Sequence, residues 1–209
     1  MRNRFGIAAC LLTGLFFSSG GAMAQSAPAA GKPDQAKVSQ IIAEWPQASK
    51  NAALEMMAKY GPPQDAADSL LIWRDNRPWK RTVVHRAEVD HAFPMPHKDV
   101  LEQTVSYKVA LNFFEPLVTY NGSLVVDRTK GEISAWSDRE GENLLMINLA
   151  HEIVRGKRTT EDARRFHTET AQKLATGQSS DYTQKLLLDA EQQGDMSDPD
   201  VSTISTPAK

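Results

Sequence analysis

The chain is almost without cysteine: among its 209 residues there is one, Cys10. That residue lies in an N-terminal stretch that opens on Arg2 and Arg4 and runs apolar from Phe5 to Phe17, broken only by Gly6, Thr13 and Gly14. The stretch ends on Ala22-Met23-Ala24. A positive start, a short apolar core and an A-x-A site are the layout of a cleaved secretory signal. A chain cut after Ala24 carries no thiol, which excludes disulfides, thiolate nucleophiles and cysteine metal sites. Also missing is an apolar run of the ~20 residues that a membrane-spanning helix needs. The signal is therefore expected to be removed, leaving a periplasmic or secreted chain without a transmembrane segment. Ile7-Ala8-Ala9-Cys10 loosely resembles a lipoprotein cleavage box, but only about five apolar residues precede that cysteine, against roughly 7–15 in a signal core.

A surplus of charge is lacking as well. The formal net charge is −2, and it becomes −4 when Arg2 and Arg4 leave with the signal. From Asp189 onward the chain holds five acids and one base, Lys209, so the body is balanced. No bulk field favours nucleic acid or an anionic membrane surface. The motifs of common chemistries are absent too: no G-x-S-x-G elbow, phosphate-cradling glycine loop or dinucleotide fingerprint occurs. His151-Glu152 opens like H-E-x-x-H, but Arg155 stands where the second histidine belongs, and arginine cannot ligate a metal. No catalytic residue and no cofactor are implied.

With 41% hydrophobic and 24% charged residues the composition is that of an ordinary globular chain. Its length predicts one domain after processing. The boundaries read as a signal peptide over 1–24, a flexible leader over 25–36 and a single α+β domain over 37–188. Residues 189–209 read as a disordered acidic tail.

Val38, Ile41, Ile42 and Trp45 fall at helical spacing before Pro46, and Ala53, Met56, Met57 and Tyr60 repeat that spacing before Gly61-Pro62-Pro63. A strand-rich middle follows: Leu70 to Arg74, Trp79 to Asp90, Thr104 to Val109, and two hairpins turning at Asn121-Gly122 and Lys130-Gly131. Residues 113–119 fit either the first hairpin or a helical turn. Ser137-Asp138-Arg139-Glu140 resembles a capping box ahead of a helix over Leu144–Val154. Thr159 or Thr160 caps another helix, whose inner face reads Ala163, Phe166, His167, Thr170, Ala171 and Leu174. His167 on that apolar face reads as a core histidine. Tight turns between successive strands predict an antiparallel β-meander of about five strands, with helices from both chain ends packed on one face.

Two groups of residues are candidates for function. His85, Glu88, Asp90, His91, His97 and Asp99 combine imidazoles and carboxylates densely enough to ligate a divalent ion. On one straight strand His85 and His91 share a face but lie about 20 Å apart, too far for one ion. Only a bulge near Asp90, or a loop folding His97 back, gathers His85, His91, His97 and Asp99. The second group is Trp73, Trp79 and Arg81, because tryptophan and arginine are favoured at binding surfaces. Trp73 and Trp136 read as covers of the sheet core, and Trp79 as the exposed contact.

Lys59-Tyr60-Gly61-Pro62-Pro63, Leu71-Ile72-Trp73 and Pro78-Trp79-Lys80-Arg81-Thr82-Val83-Val84 resemble a group of exported bacterial proteins of unknown function. Phe93-Pro94-Met95-Pro96-His97-Lys98-Asp99-Val100-Leu101-Glu102-Gln103-Thr104 and Ala163-Arg164-Arg165-Phe166 resemble the same group, which implies no activity. A helix leading through Tyr-Gly-Pro-Pro into a strand with Trp73 is also faintly similar to small envelope proteins of the outer-membrane-assembly type, which are interaction modules. The chain differs from those in its extra C-terminal helices and in lacking a convincing lipid-anchor cysteine. The expected function is a soluble, non-catalytic periplasmic module that binds an unknown envelope protein or small molecule. The alternative is a metal-dependent hydrolase or metal-binding protein built on the His85–Asp99 region.

Overall fold

A computed structural model describes residues 34–188, 196–197 and 199–204. The expected signal peptide, most of the leader and most of the acidic tail lie outside the described residues. Helix α1 (Gln35–Ala43) begins two residues before the expected boundary, because the Asp34 side chain accepts from the Ala36 N–H at its start. Helix α2 (Gln47–Tyr60) follows after Pro46 and ends at Gly61, whose φ of 75° is open to glycine at little cost.

Six strands come next: β1 (Asp65–Ala67), β2 (Leu70–Arg74), β3 (Arg81–His91), β4 (His97–Ser106), β5 (Leu124–Asp127) and β6 (Glu132–Ser137). Helix α3 (Phe114–Tyr120) separates β4 from β5, and α4 (Glu140–Val154), α5 (Thr160–Ala175) and α6 (Asp181–Gln184) close the fold. All pairings are antiparallel and the strand order is β1-β2-β3-β4-β6-β5. The fold class is α+β, with six strands rather than about five.

The simple meander is corrected at its far end. The segment before Asn121-Gly122 is helix α3, not a hairpin strand. Pro116 falls in the first turn of α3, where its missing N–H costs nothing, and Leu117 and Tyr120 turn inward fully buried. The Asn121 side chain accepts from the Ser123 N–H at 2.9 Å, so the Asn-Gly pair makes a helix-to-strand turn. The chain thereby reaches the edge with β5 and returns with β6 beside β4.

The core lies on one face of the sheet in two connected pieces. Val38, Ile42, Ala52, Ala53 and Met56 of α1 and α2 cover Leu71, Trp73, Val84 and Leu101. Leu144, Leu145, Ile147, Leu149 and their neighbours on α4 cover Val105, Leu124, Ile133 and Ala135. Helix α4 is buried nearly all round, from Asn143 to His151, because α5 and α6 pack against it as well. Its start departs from the expected capping box: the Ser137 hydroxyl lies 2.8 Å from both the Arg139 carbonyl and the Asn143 side-chain oxygen, sharing its one hydrogen between them, and Glu140 turns into the core. Thr159 caps α5 as expected, accepting from the Asp162 N–H at 3.2 Å. Among the described residues no helix is long and apolar enough to cross a membrane.

Candidate functional site

The face of the sheet opposite the helices carries a connected polar surface. Arg81 and Val83 on β3, Glu102 and Thr104 on β4, and Glu132, Ser134 and Trp136 on β6 share this face by register. Lys80 pairs with the buried Glu132 at 2.7 Å, and the Arg81 guanidinium lies 3.6 Å from Glu132 and 3.7 Å from Glu102. Arg81 also donates to the Thr104 hydroxyl at 3.1 Å, which meets Ser134 at 2.8 Å. His85 lies 3.5 Å from Glu102 and stacks on Trp136, ring centroids 4.5 Å apart. Burial opposes the Glu102 charge, but His85, Arg81 and Ser134 together outweigh it and hold this carboxyl below its usual range.

Of the three residues expected to bind a ligand, the open face holds Arg81 alone. Trp73 and Trp79 are buried among the helices, each 1% exposed, which corrects the reading of Trp79 as an exposed contact. Trp73 donates to the Gly61 carbonyl at 2.9 Å. Trp79 precedes β3 and falls beneath the start of α4, where its indole N–H donates to Glu140. Glu140 is 3% exposed and also receives the Tyr60 hydroxyl at 2.5 Å, the Gln103 amide at 3.3 Å and the Lys59 ammonium. Burial, then Glu140 itself, hold the Tyr60 hydroxyl protonated well above its usual range. Trp136, read as a core cover, lies on the open face instead. Alternation along β6 decides this: Ile133 and Ala135 take the inward positions, so Trp136 points out.

The histidine segment is not straight. The β3–β4 register jumps from Val84↔Leu101 to Val89↔Asp99, so β3 carries three extra residues there. The bulged segment turns to α2 instead of β4. Ser49 donates to the Arg86 carbonyl at 3.1 Å, and the Glu88 carboxylate accepts from the Ala48 N–H at 3.2 Å. An acid at a helix N-terminus is favoured by the dipole. Strand β4 stays regular, so Asp99 shares the face of Leu101, and His91 arrives on that face across from His97.

His91, His97 and Asp99 converge, each offering a ligand-type atom within 4.8 Å of the other two. His91 Nδ1 lies 3.3 Å from Asp99 Oδ2, and His97 Nε2 lies 3.0 Å from Asp99 Oδ1. Ser123 donates to Asp99 Oδ2 and stands 3.1 Å from His91 Nδ1. The side chains are 16%, 14% and 6% exposed for His91, His97 and Asp99. Burial lowers the His91 pKa, against the pull of Asp99. At His97 burial again opposes the charge, but Asp99 and the Met95 carbonyl together raise its pKa above the ordinary value. His85 does not join them: it remains on the open face with Glu102 and Trp136.

The sequence reading missed Ser123, Glu132, Glu140 and Trp136. Period-two alternation along β6 was the available signal for Glu132 and Trp136. Ser123 and Glu140 carried none, because each acts through residues distant in the chain. No protein-family model, curated protein or solved structure matches this chain.

Proposed function

We propose that this chain is a non-catalytic binding module that meets a protein partner in the cell envelope through the open face of its sheet. The supporting observation is the lattice of Lys80, Glu132, Arg81, Glu102, His85 and Trp136 on the sheet face opposite the helix-covered core. These side chains are already held by one another, so little rotamer freedom is left to lose on association. Arginine and tryptophan are the residues most enriched where binding energy concentrates. Both signs of charge alternate across the face, which suits a protein surface of complementary pattern and disfavours a polyanion. The envelope location rests on the secretory signal read in the first 24 residues.

The test is a photo-crosslinking amino acid placed at position 136, with a control on the exposed side of α2 at position 54. A discrete partner captured from position 136 alone, and lost in an Arg81→Glu variant with an unchanged circular dichroism spectrum, supports the reading. Capture of the same partner equally from position 54, or no discrete partner from position 136, overturns it.

A further inference from the structure

Beyond that reading, and independent of it, we propose that His91, His97 and Asp99 form a site for one divalent transition-metal ion of the zinc or cobalt kind. The first support is geometric. An ion bound tetrahedrally at 2.0–2.1 Å places neighbouring ligand atoms about 3.3 Å apart. His91 Nδ1 lies 3.3 Å from Asp99 Oδ2 and His97 Nε2 lies 3.0 Å from Asp99 Oδ1, and one ligand atom from each residue falls within 4.8 Å of the other two, so side-chain shifts of about an ångström bring all three onto one ion. The hairpin holds this spacing: His91 and His97 are register partners at the end of β3 and β4, and Asp99 lies two residues on, on the same face.

The second support is a conflict of lone pairs. His97 Nδ1 lies 2.9 Å from the Met95 carbonyl, which can only accept, so Nδ1 carries the hydrogen. In a neutral imidazole the other nitrogen then has no hydrogen, yet Nε2 faces Asp99 Oδ1 at 3.0 Å. Two acceptors meet there unless a positive charge lies between them, and a metal ion supplies one as well as a proton does. The surroundings are those of a ligated site. The Met95 carbonyl fixes the His97 tautomer and ring, and Ser123 orients the Asp99 carboxylate, the roles that outer partners play around bound metals.

His97 borders a cavity of about 270 Å³ beside the cluster, lined also by Pro94, Asp138, Arg139 and Glu142. Two imidazoles with one carboxylate select borderline transition metals over magnesium or calcium, which prefer oxygen alone. Three protein ligands leave a fourth position for water or a small ligand. The other histidines stay outside the site: His85 is on the opposite face, His151 bonds Tyr107, and His167 bridges Tyr120 and Glu142.

Calorimetric titration of the chelator-stripped full chain with zinc, without affinity-tag histidines, tests the site. Cobalt absorption gives the coordination geometry. One zinc per chain is expected, with the dissociation constant raised about tenfold or more in His97→Ala and in Asp99→Asn, and unchanged in His85→Ala. Should Asp99→Asn unfold, His91→Gln at the rim gives the same reading. No saturable zinc uptake, uptake unaffected by these substitutions, or magnesium bound as tightly as zinc overturns the proposal. Crosslinking at position 136 reads a different surface, so either proposal can fail alone.

Discussion

Glu140 and Asp99 are both buried acids, and they are built in opposite ways. Glu140 is enclosed by Trp79, Tyr60, Gln103 and Lys59, which come from α2, the segment before β3, and β4. Asp99 faces two imidazoles and a hydroxyl beside the turn of the β3–β4 hairpin. The first arrangement saturates the charge with donors that mostly keep their protons near neutrality, and so joins three elements. The second leaves the charge with partners that can lose a proton or trade it for a metal. What surrounds a buried acid, more than its burial, decides whether it is a fastener or a site.

The largest expected effect is at the fastener. Glu140→Ala strands the Trp79 and Tyr60 donors and should cost roughly 3–5 kcal/mol in denaturant unfolding, the scale of breaking a buried charged cluster. A loss near zero would break the comparison. Trp79→Phe keeps most of the ring but removes one donor to the carboxylate, and about 1.5–3 kcal/mol should be lost in the same measurement.

The two histidines around Asp99 should make stability depend on pH instead, measured with chelator present. The His97 pKa is raised above 6.5, so its contribution is complete below that value and fades as pH climbs through the raised one. His97→Gln is therefore expected to be more destabilising at about pH 5 than at about pH 8. His91, lowered from 6.5, acts the other way: its contribution is complete above that value and is lost as pH falls through the lowered one. His91→Gln should accordingly relieve acid sensitivity. Equal pH slopes for both variants and the parent would remove the distinction between the two carboxylates. The smallest effect is expected from Lys59→Met, about 0–1 kcal/mol by thermal melting, because that ammonium is half exposed and its pairing is solvent-screened.

Much of the fold was legible in the residues. Helices α1, α2 and α5 follow from apolar spacing and from local signals such as Gly61 and Thr159, since a helix is decided within a few turns of chain. The Lys130-Gly131 hairpin between β5 and β6 was equally local. Helix α3 was not, because Asn121-Gly122 serves a hairpin or a helix exit equally well, and the burial of Leu117 and Tyr120 against distant elements selects the helix. The candidate site was half legible. The residue types of His91, His97 and Asp99 were visible, but a straight strand would have kept His85 with His91 and apart from a site.

Sequence alone therefore determined the elements with local causes, the α+β class and the chemical inventory of the histidine segment. Tertiary structure decided which members of that inventory meet. The bulge of β3 onto the start of α2 sends His85 to one face and His91 to the other, and alternation along β6 brings Trp136 out beside His85. Strand side chains have a period of two, so a local register shift exchanges faces, and only the packing of α2 against β3 fixes where that shift falls.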